Sequence, residues 1–257
     1  MSLLSTSLLF VLSLLFLLIA PTICTAPDDA FLISCARGEP ACAPIWAAPV
    51  PPTFSASIPT PFGPLLVHVN TSLAPSHAAR FYVLTQLRYY EGGPFYRVLR
   101  TPQRAFVAQL GYRGVPSVDT EWLALRLSNA TCPVRLPNAR GTLAFGTGEV
   151  PNDGSDPSCT APLCSRGFSV ELYINLGDNA AELDAMGFSP FGVVADMTPA
   201  DKLYAKYGEL ADLCSVEAPP SAFCVKKGAG WAGVNLTRFL AEGNEYVRKG
   251  FPSLSWV

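Results

Sequence analysis

The sequence predicts a mainly β chain, folded as a closed or nearly closed antiparallel barrel with helices at its ends. Three observations carry this expectation. FSVELYIN (168–175) alternates, so that Phe168, Val170, Leu172 and Ile174 face inward and Ser169, Glu171, Tyr173 and Asn175 face outward. LLVHV (65–69), FYRVL (95–99), FVAQL (106–110), RGTLAFG (140–146) and FGVV (191–194) are further apolar runs of strand length. Two helical patterns bracket these strands, which makes a barrel with helices at its ends the economical architecture.

Taken in order, the first 26 residues carry no charge, and Leu8 to Ile19 is an almost wholly apolar run ended by Pro21. That length suits a secretory signal peptide better than a membrane span, which takes about 20 apolar residues. Residues 1–26 are expected to be a cleaved leader, the alternative being an uncleaved membrane anchor. Eight prolines fall between Pro40 and Pro64. Proline removes amide donors and disfavours helix, so 27–60 reads as an extended linker, with regular structure beginning at Gly63. SLAPSHAARFYVLTQLRYY reads as a helix, with Pro75 at its start and Ala78, Phe81, Leu84 and Leu87 along one stripe. MTPADKLYAKYG reads as a second, with Thr198 as N-cap, Pro199 at the first helical position, Asp201 in the first turn and Gly208 as stop. Residues 209–235 are irregular and cysteine-linked. A last amphipathic helix runs through Leu236, Phe239, Leu240, Gly243, Tyr246 and Val247. The expected organisation is a leader (1–26), a linker (27–60), a barrel domain (61–208) and a cysteine-containing extension (209–257).

A chain of 257 residues can bury a full core. Its net charge is −2, and no Lys/Arg cluster exceeds Lys226-Lys227, so nucleic-acid binding has no electrostatic basis. Asn-x-Ser/Thr sequons stand at Asn70, Asn129 and Asn235, candidate glycosylation sites for a lumenal or secreted protein. The close pairs Cys35/Cys42, Cys159/Cys164 and Cys214/Cys224 would close short disulfide loops in an oxidising lumen. Cys132 is left over, free or exchanged with Cys159 or Cys164. No CxxC occurs and there are two histidines, so no zinc pattern is present and no metal or other cofactor is expected.

Several motifs read as structural. Gly228-x-Gly230-x-x-Gly233 spells a dinucleotide fingerprint, but no βαβ unit can follow it, and turn glycines are the better reading. GFSPFG (187–192) has the wrong serine spacing for a nucleophile elbow. His68 in a strand and His77 at a helix start read as satisfied structural histidines, and Asp119 and Glu121 as solvated surface carboxylates.

One pattern resists a structural reading. In FYRVL, Arg97 stands on the face shared by Phe95 and Leu99, and in FVAQL, Gln109 repeats the oddity. The surrounding blocks resemble the cyclophilin family. APSHAARFYVLTQLRYYEGGPFYRVL is similar to its Ala-Pro, Asn-Phe helix, Tyr-Tyr-Asp-Gly and Phe-His-Arg-Val blocks. AFVAQLG, RGTLAFG, VELYIN and ELDAMGFSPFGVV resemble the blocks that follow, in the same order, over roughly 61–207. The ending GNEYVRKGFPSLSWV resembles a divergent subgroup found in bacteria and plants or algae.

The resemblance implies a closed eight-stranded antiparallel barrel capped by two helices, here with a C-terminal helical extension, and peptidyl-prolyl cis/trans isomerase activity on proline-containing polypeptides by a monomer. It makes Arg97 the catalytic arginine, with Gln109 beside it, and assigns Phe106, Val107, Gly146, Tyr173, Leu183 and Phe188 to the substrate groove. Alternation independently puts Val107 and Gln109 on one face; Phe106 needs a local bend to join them. The chain departs from the family at Tyr96 for a His, Glu182 for a Trp, Gly187 or Phe188 for a His, Glu171 for a Gln and Gly146-Thr147 for Ala-Asn. An excursion containing Pro102 separates Arg97 from Phe106, and insertions surround Cys132 and Cys159–Cys164. These changes leave a second reading open, a catalytically weak or inactive module that binds proline peptides. A membrane enters either picture only through an uncleaved residue 1–26 segment.

Overall fold

Leu65, Val67 and Val69 point one way and Leu66, His68 and Asn70 the other, and the first three are buried while the second three are exposed. Such alternation selects a half-buried strand, and full burial of each apolar side chain stabilises it by about 1.5–3 kcal/mol. A computed structural model describes residues 28–128, 134–147, 166–216 and 219–257. The expected leader, the Asn129 sequon, Cys24, Cys132 and the Cys159/Cys164 pair lie outside the described residues.

The strands are β1 (Thr53–Ile58), β2 (Leu65–Asn70), β3 (Arg97–Arg100), β4 (Ala105–Leu110), β5 (Leu127–Ser128), β6 (Thr142–Phe145), β7 (Arg166–Phe168), β8 (Leu172–Asn175), β9 (Gly192–Val194), β10 (Lys226–Lys227) and β11 (Gly230–Trp231). The helices are α1 (Asp29–Ala36), α2 (Ala43–Trp46), α3 (Pro75–Gln86), α4 (Pro116–Leu123), α5 (Ala180–Leu183), α6 (Thr198–Asp201), α7 (Ala211–Val216) and α8 (Leu236–Gly250). Seven strands form one antiparallel sheet in the order β1-β2-β9-β6-β8-β4-β3, and β5–β7 and β10–β11 are separate ribbons.

The mainly β expectation holds, and among the described residues the main sheet has seven strands and is not closed into a barrel. Among the described residues the outer strands β1 and β3 do not pair with each other. Just before β3 the chain instead meets its own C-terminal tail. Pro94 and Trp256 form an antiparallel bridge, Phe95 N–H donates to Ser255 O at 2.8 Å, and Val257 N–H to Gly93 O at 2.9 Å. The tail satisfies backbone groups that would otherwise be left open at that edge.

The stripe Ala78, Phe81, Leu84 and Leu87 of α3 is buried as its spacing predicts. Phe81 reaches Phe191 with ring centroids 5.5 Å apart, so α3 packs over the core side of the sheet. The expected second helix over 198–208 is the single turn α6: the N-cap position is Met197, without a side-chain bond, and the Thr198 N–H donates to Asp196 at 2.9 Å. The last helix is present, N-capped by Asn235, whose side chain accepts from Arg238 N–H at 2.8 Å; it kinks at Gly243. In FSVELYIN the inward residues are buried, but so are Ser169, Tyr173 and Asn175, because the other face of this central strand is also covered.

Residues 28–58 are not an extended linker. They form α1, α2 and the edge strand β1, and Cys35 and Cys42 are disulfide-bonded. Trp46 stacks on Trp122 at 5.8 Å, and the Arg80 guanidinium lies over both rings, at 5.8 and 5.9 Å. The Trp122 indole N–H donates to Leu32 O at 3.0 Å. The prolines sit in helix first turns and loops, where a missing amide costs little, so the segment docks on α3 and α4. Helix α4, unforeseen from the sequence, carries Asp119, which is buried and not solvated. It accepts from Tyr89 O–H at 2.7 Å and from the N–H groups of Arg113 and Gly114 at 2.9 and 2.8 Å. Burial pushes its carboxyl above the usual carboxylate range.

His77 is structural: it is buried against Phe145, Phe168 and Phe191, and neither ring nitrogen makes a well-formed hydrogen bond, though the Ser189 backbone lies close enough to act on the ring. Burial lowers its pKa to about 4. His68 is exposed and bonds Ser55 at 2.9 Å. Gly228, with φ 60°, turns the β10–β11 ribbon, as the turn reading of the glycine motif expects.

Candidate functional site

Sheet register brings the site residues together. Arg97 on β3 lies opposite Gln109 on β4, and Gln109 lies opposite Tyr173 on β8. Directly opposed residues project from the same face, so one row across three strands presents a guanidinium, an amide and a phenol together. Val107, two residues before Gln109, shares that face. The β3–β4 register shifts between Val98 and Arg100, the irregularity that Phe106 requires to join Val107.

All eight residues singled out from the sequence line one cavity of about 70 Å³. Arg97, Phe106, Val107, Gln109 and Tyr173 come from the sheet, Gly146 from the end of β6, and Leu183 and Phe188 from α5 and the loop after it. Thr147 completes the lining. Of Gly187 and Phe188, it is Phe188 that lines the cavity, and its ring meets Tyr173 edge-on at 5.8 Å. The floor is thus aromatic and aliphatic, and the polar groups on it are few and convergent, as in small-molecule and peptide sites.

Hydrogen bonds fix each polar group. Arg97 Nη1 donates to Gln109 Oε1 at 2.9 Å, and Gln109 Nε2 donates to Glu171 at 3.1 Å. Tyr96 O–H donates to the same Glu171 oxygen at 2.7 Å, and burial, then the Glu171 charge, holds the phenol well above its usual range. Tyr173 O–H donates to Asn138 Oδ1 at 2.6 Å, while Asn138 Nδ2 donates to Asp184 at 2.6 Å and to Phe188 O at 2.9 Å. Burial raises the Tyr173 phenol well above its usual range. Asn138 therefore ties the pocket floor to the Leu183–Phe188 wall. No motif in the sequence singles it out.

Two further residues were missed. Glu209 takes the other side of the Arg97 fork, Oε1 accepting from Nε at 2.5 Å and Oε2 from Nη2 at 2.6 Å. Phe223 stacks on Phe106, with centroids 6.1 Å apart and planes 17° from parallel, and the Arg104 guanidinium lies over both rings at 4.9 and 5.4 Å. Arg104 also pairs with Glu182 at 2.5 Å across the rim. The Cys214–Cys224 disulfide closes the loop that carries Phe223, and Glu209 lies just before that loop. Of the sequons, Asn70 is exposed at the end of β2, while Asn235 is partly buried as the cap of α8. Among the described residues no helix is long and apolar enough to cross a membrane.

No family model and no curated protein matches the chain. Solved structures do. A cyclophilin-type peptidyl-prolyl cis-trans isomerase of Cryptosporidium parvum matches at 15% identity and a TM-score of 0.39, covering 58% of this chain and 82% of that one. The Cryptosporidium parvum protein in the presence of the dipeptide Ala-Pro matches at 16% and 0.37, covering 56% and 79%. A cyclophilin from Hirschia baltica matches at 13% and 0.41, covering 60% and 69%. These three solved structures are cyclophilins, at low identity.

Proposed function

We propose that the protein is a peptidyl-prolyl cis/trans isomerase, with Arg97 as the catalytic group and the Phe106, Val107, Tyr173, Leu183 and Phe188 wall as the proline subsite. The observation that carries this reading is the cavity itself: a guanidinium and an amide, bonded to each other, line a pocket whose other walls are mostly aromatic and aliphatic. Rotation about an Xaa-Pro bond breaks amide resonance against a barrier of about 18–20 kcal/mol, and needs neither nucleophile nor metal. The twisted amide carries a lone pair on the prolyl nitrogen. A donor aimed at that nitrogen binds the transition state better than either planar ground state. A guanidinium is permanently charged and rigidly forked, so it can serve that nitrogen and the neighbouring carbonyl together. One such donor in a partly dry groove contributes about 3–4 kcal/mol. Gln109 holds the fork and anchors the peptide backbone.

A second reading, binding of proline turns without turnover, is favoured by one observation: three of the five Arg97 N–H groups already have partners, in Glu209 and Gln109. Turnover on a short Xaa-Pro peptide separates the two. The wild type is expected to exceed the uncatalysed rate and Arg97→Lys to lose about 100-fold. A wild type no faster than the uncatalysed reaction across several Xaa residues, yet binding the peptide, establishes the second reading. The Cys35–Cys42 and Cys214–Cys224 disulfides support action on client polypeptides in an oxidising compartment of the secretory pathway.

A further inference from the structure

We propose that Glu209 is a positioning residue for Arg97, and that Glu209 and the disulfide-closed loop bonded to it through Phe223 are a support for the site and not a cover over it. The inference rests on the isomerase reading for its consequence, though not for its geometry.

Arg97 is a long side chain on a strand, and nothing in β3 or β4 restrains more than one edge of its guanidinium. Gln109 takes Nη1; Glu209 takes Nε and Nη2 as a bidentate pair. A side-on carboxylate fixes the plane of the fork as well as its position. Two N–H groups stay unassigned to these partners, one on each Nη, so the distal edge of the guanidinium is still available to a peptide.

Glu209 is itself held from its own side. Its Oε1 accepts the Leu210 N–H at 2.8 Å, and its own N–H donates to Phe223 O at 3.0 Å. Gly233 packs so closely that a Cβ there would stand 1.7 Å from Glu209 O. Gly208, with φ 71°, lets the chain pass Phe223 O, which a Cβ would meet at 2.2 Å. Cys214–Cys224 then locks the loop next to Phe223. A residue 112 positions from Arg97 in sequence is thus fixed by contacts that owe nothing to β3.

Holding and covering predict different placements. The cavity is lined by Arg97 and Phe106, and neither Glu209 nor Phe223 is among its lining residues. Each contacts a lining residue: Glu209 bonds the Arg97 fork and Phe223 stacks on the Phe106 ring, with Arg104 over both rings. A cover would occupy the opening. These residues brace the lining residues, which is where a rigid site needs its support.

The test uses the full oxidised chain with two readouts. The first is the Arg97 Nε–H signal in ¹⁵N NMR, assigned by its loss in Arg97→Lys. In Glu209→Ala this proton is expected to exchange with water about 10- to 100-fold faster, since it loses a charge-assisted bond. The second is turnover on an Xaa-Pro peptide: kcat is expected to fall about 10- to 100-fold while KM stays within about twofold, because the proline subsite is untouched. Glu209→Gln keeps the shape and one acceptor, so it guards against misfolding and is expected to fall between the two. Unchanged Nε–H exchange in both variants overturns the proposal. So does a rise in turnover, which would make Glu209 a competitor for the fork. Faster exchange in a chain that shows no turnover even as wild type supports the positioning role and sinks the isomerase reading instead.

Discussion

Removing Arg97 should cost more than activity. In Arg97→Ala the Glu209 carboxylate, whose side chain is 4% exposed against 17% for Arg97, would keep one close donor, the Leu210 N–H. At such burial solvent screens weakly, and an ion stripped of its partner destabilises by about 3–5 kcal/mol. That is a large part of a typical total of about 5–15 kcal/mol. A loss of about 3 kcal/mol corresponds to a fall of about 6–12 °C in Tm for a chain of this size. Replacing both partners with apolar groups, as Arg97→Met with Glu209→Leu, removes the unpaired charge and should restore stability to within about 1 kcal/mol of wild type. The coupling across the cycle made with the single variants Arg97→Met and Glu209→Leu is therefore expected at about 2–3 kcal/mol or more. Urea unfolding of the oxidised protein measures it, with midpoint and slope fitted separately so that a change in the unfolded state is not read as the pair. If Arg97→Ala stays within about 1 kcal/mol of wild type and the coupling is that of an exposed pair, about 0.2–1 kcal/mol, the reasoning fails. Glu209 would then have access to water in solution. The same arithmetic explains why turnover is better tested with Arg97→Lys or in the apolar double variant than with Arg97→Ala alone.

The buried His77 makes stability acid-sensitive. The unfolded chain takes up a proton below about pH 6.5 and the folded chain only below about 4, so between them the unfolded state holds more protons and stability falls with falling pH, by about 3 kcal/mol in all. His77→Leu should lose that slope between pH 6.5 and 4 in urea titrations; an unchanged slope would place it elsewhere. Gly233→Ala should lower Tm sharply by pushing on the Glu209 carbonyl, whereas Gly250→Ala, with nothing within 4 Å, should change stability by no more than about 1 kcal/mol. Equal effects of the two would contradict the close packing around Glu209. Asp119→Ala strands three donors, Tyr89 O–H and two backbone N–H groups, and should cost about 3 kcal/mol in urea, with Asp119→Asn costing less. A loss under about 0.5 kcal/mol would return Asp119 to the surface role that the sequence suggested.

Local periodicity carried far in this chain because it reports on backbone geometry within a few residues. The burial of Leu65, Val67 and Val69, the α3 stripe and the shared face of Val107 and Gln109 all follow from spacing alone. The oddity of Arg97 and Gln109 among apolar neighbours was visible for the same reason, and the ordered blocks then indicated which distant residues join them. Proline density misled over 28–58, since a missing amide is as harmless in a helix first turn or a loop as in a linker. The edge before β3 was not legible, because its pairing with the C-terminal tail joins Pro94 to Trp256, 162 positions away.

What the linear pattern does not hold is partnership. Glu209 reads as an ordinary carboxylate beside a glycine, and Phe223 as one apolar residue in an irregular stretch. Asn138 reads as a loop residue. Their roles arise once register and packing set them against Arg97, Phe106 and Tyr173. Whether a charge is solvated or buried and paired is a property of everything folded around it, so its free energy is decided by long-range contacts that no short window of sequence contains.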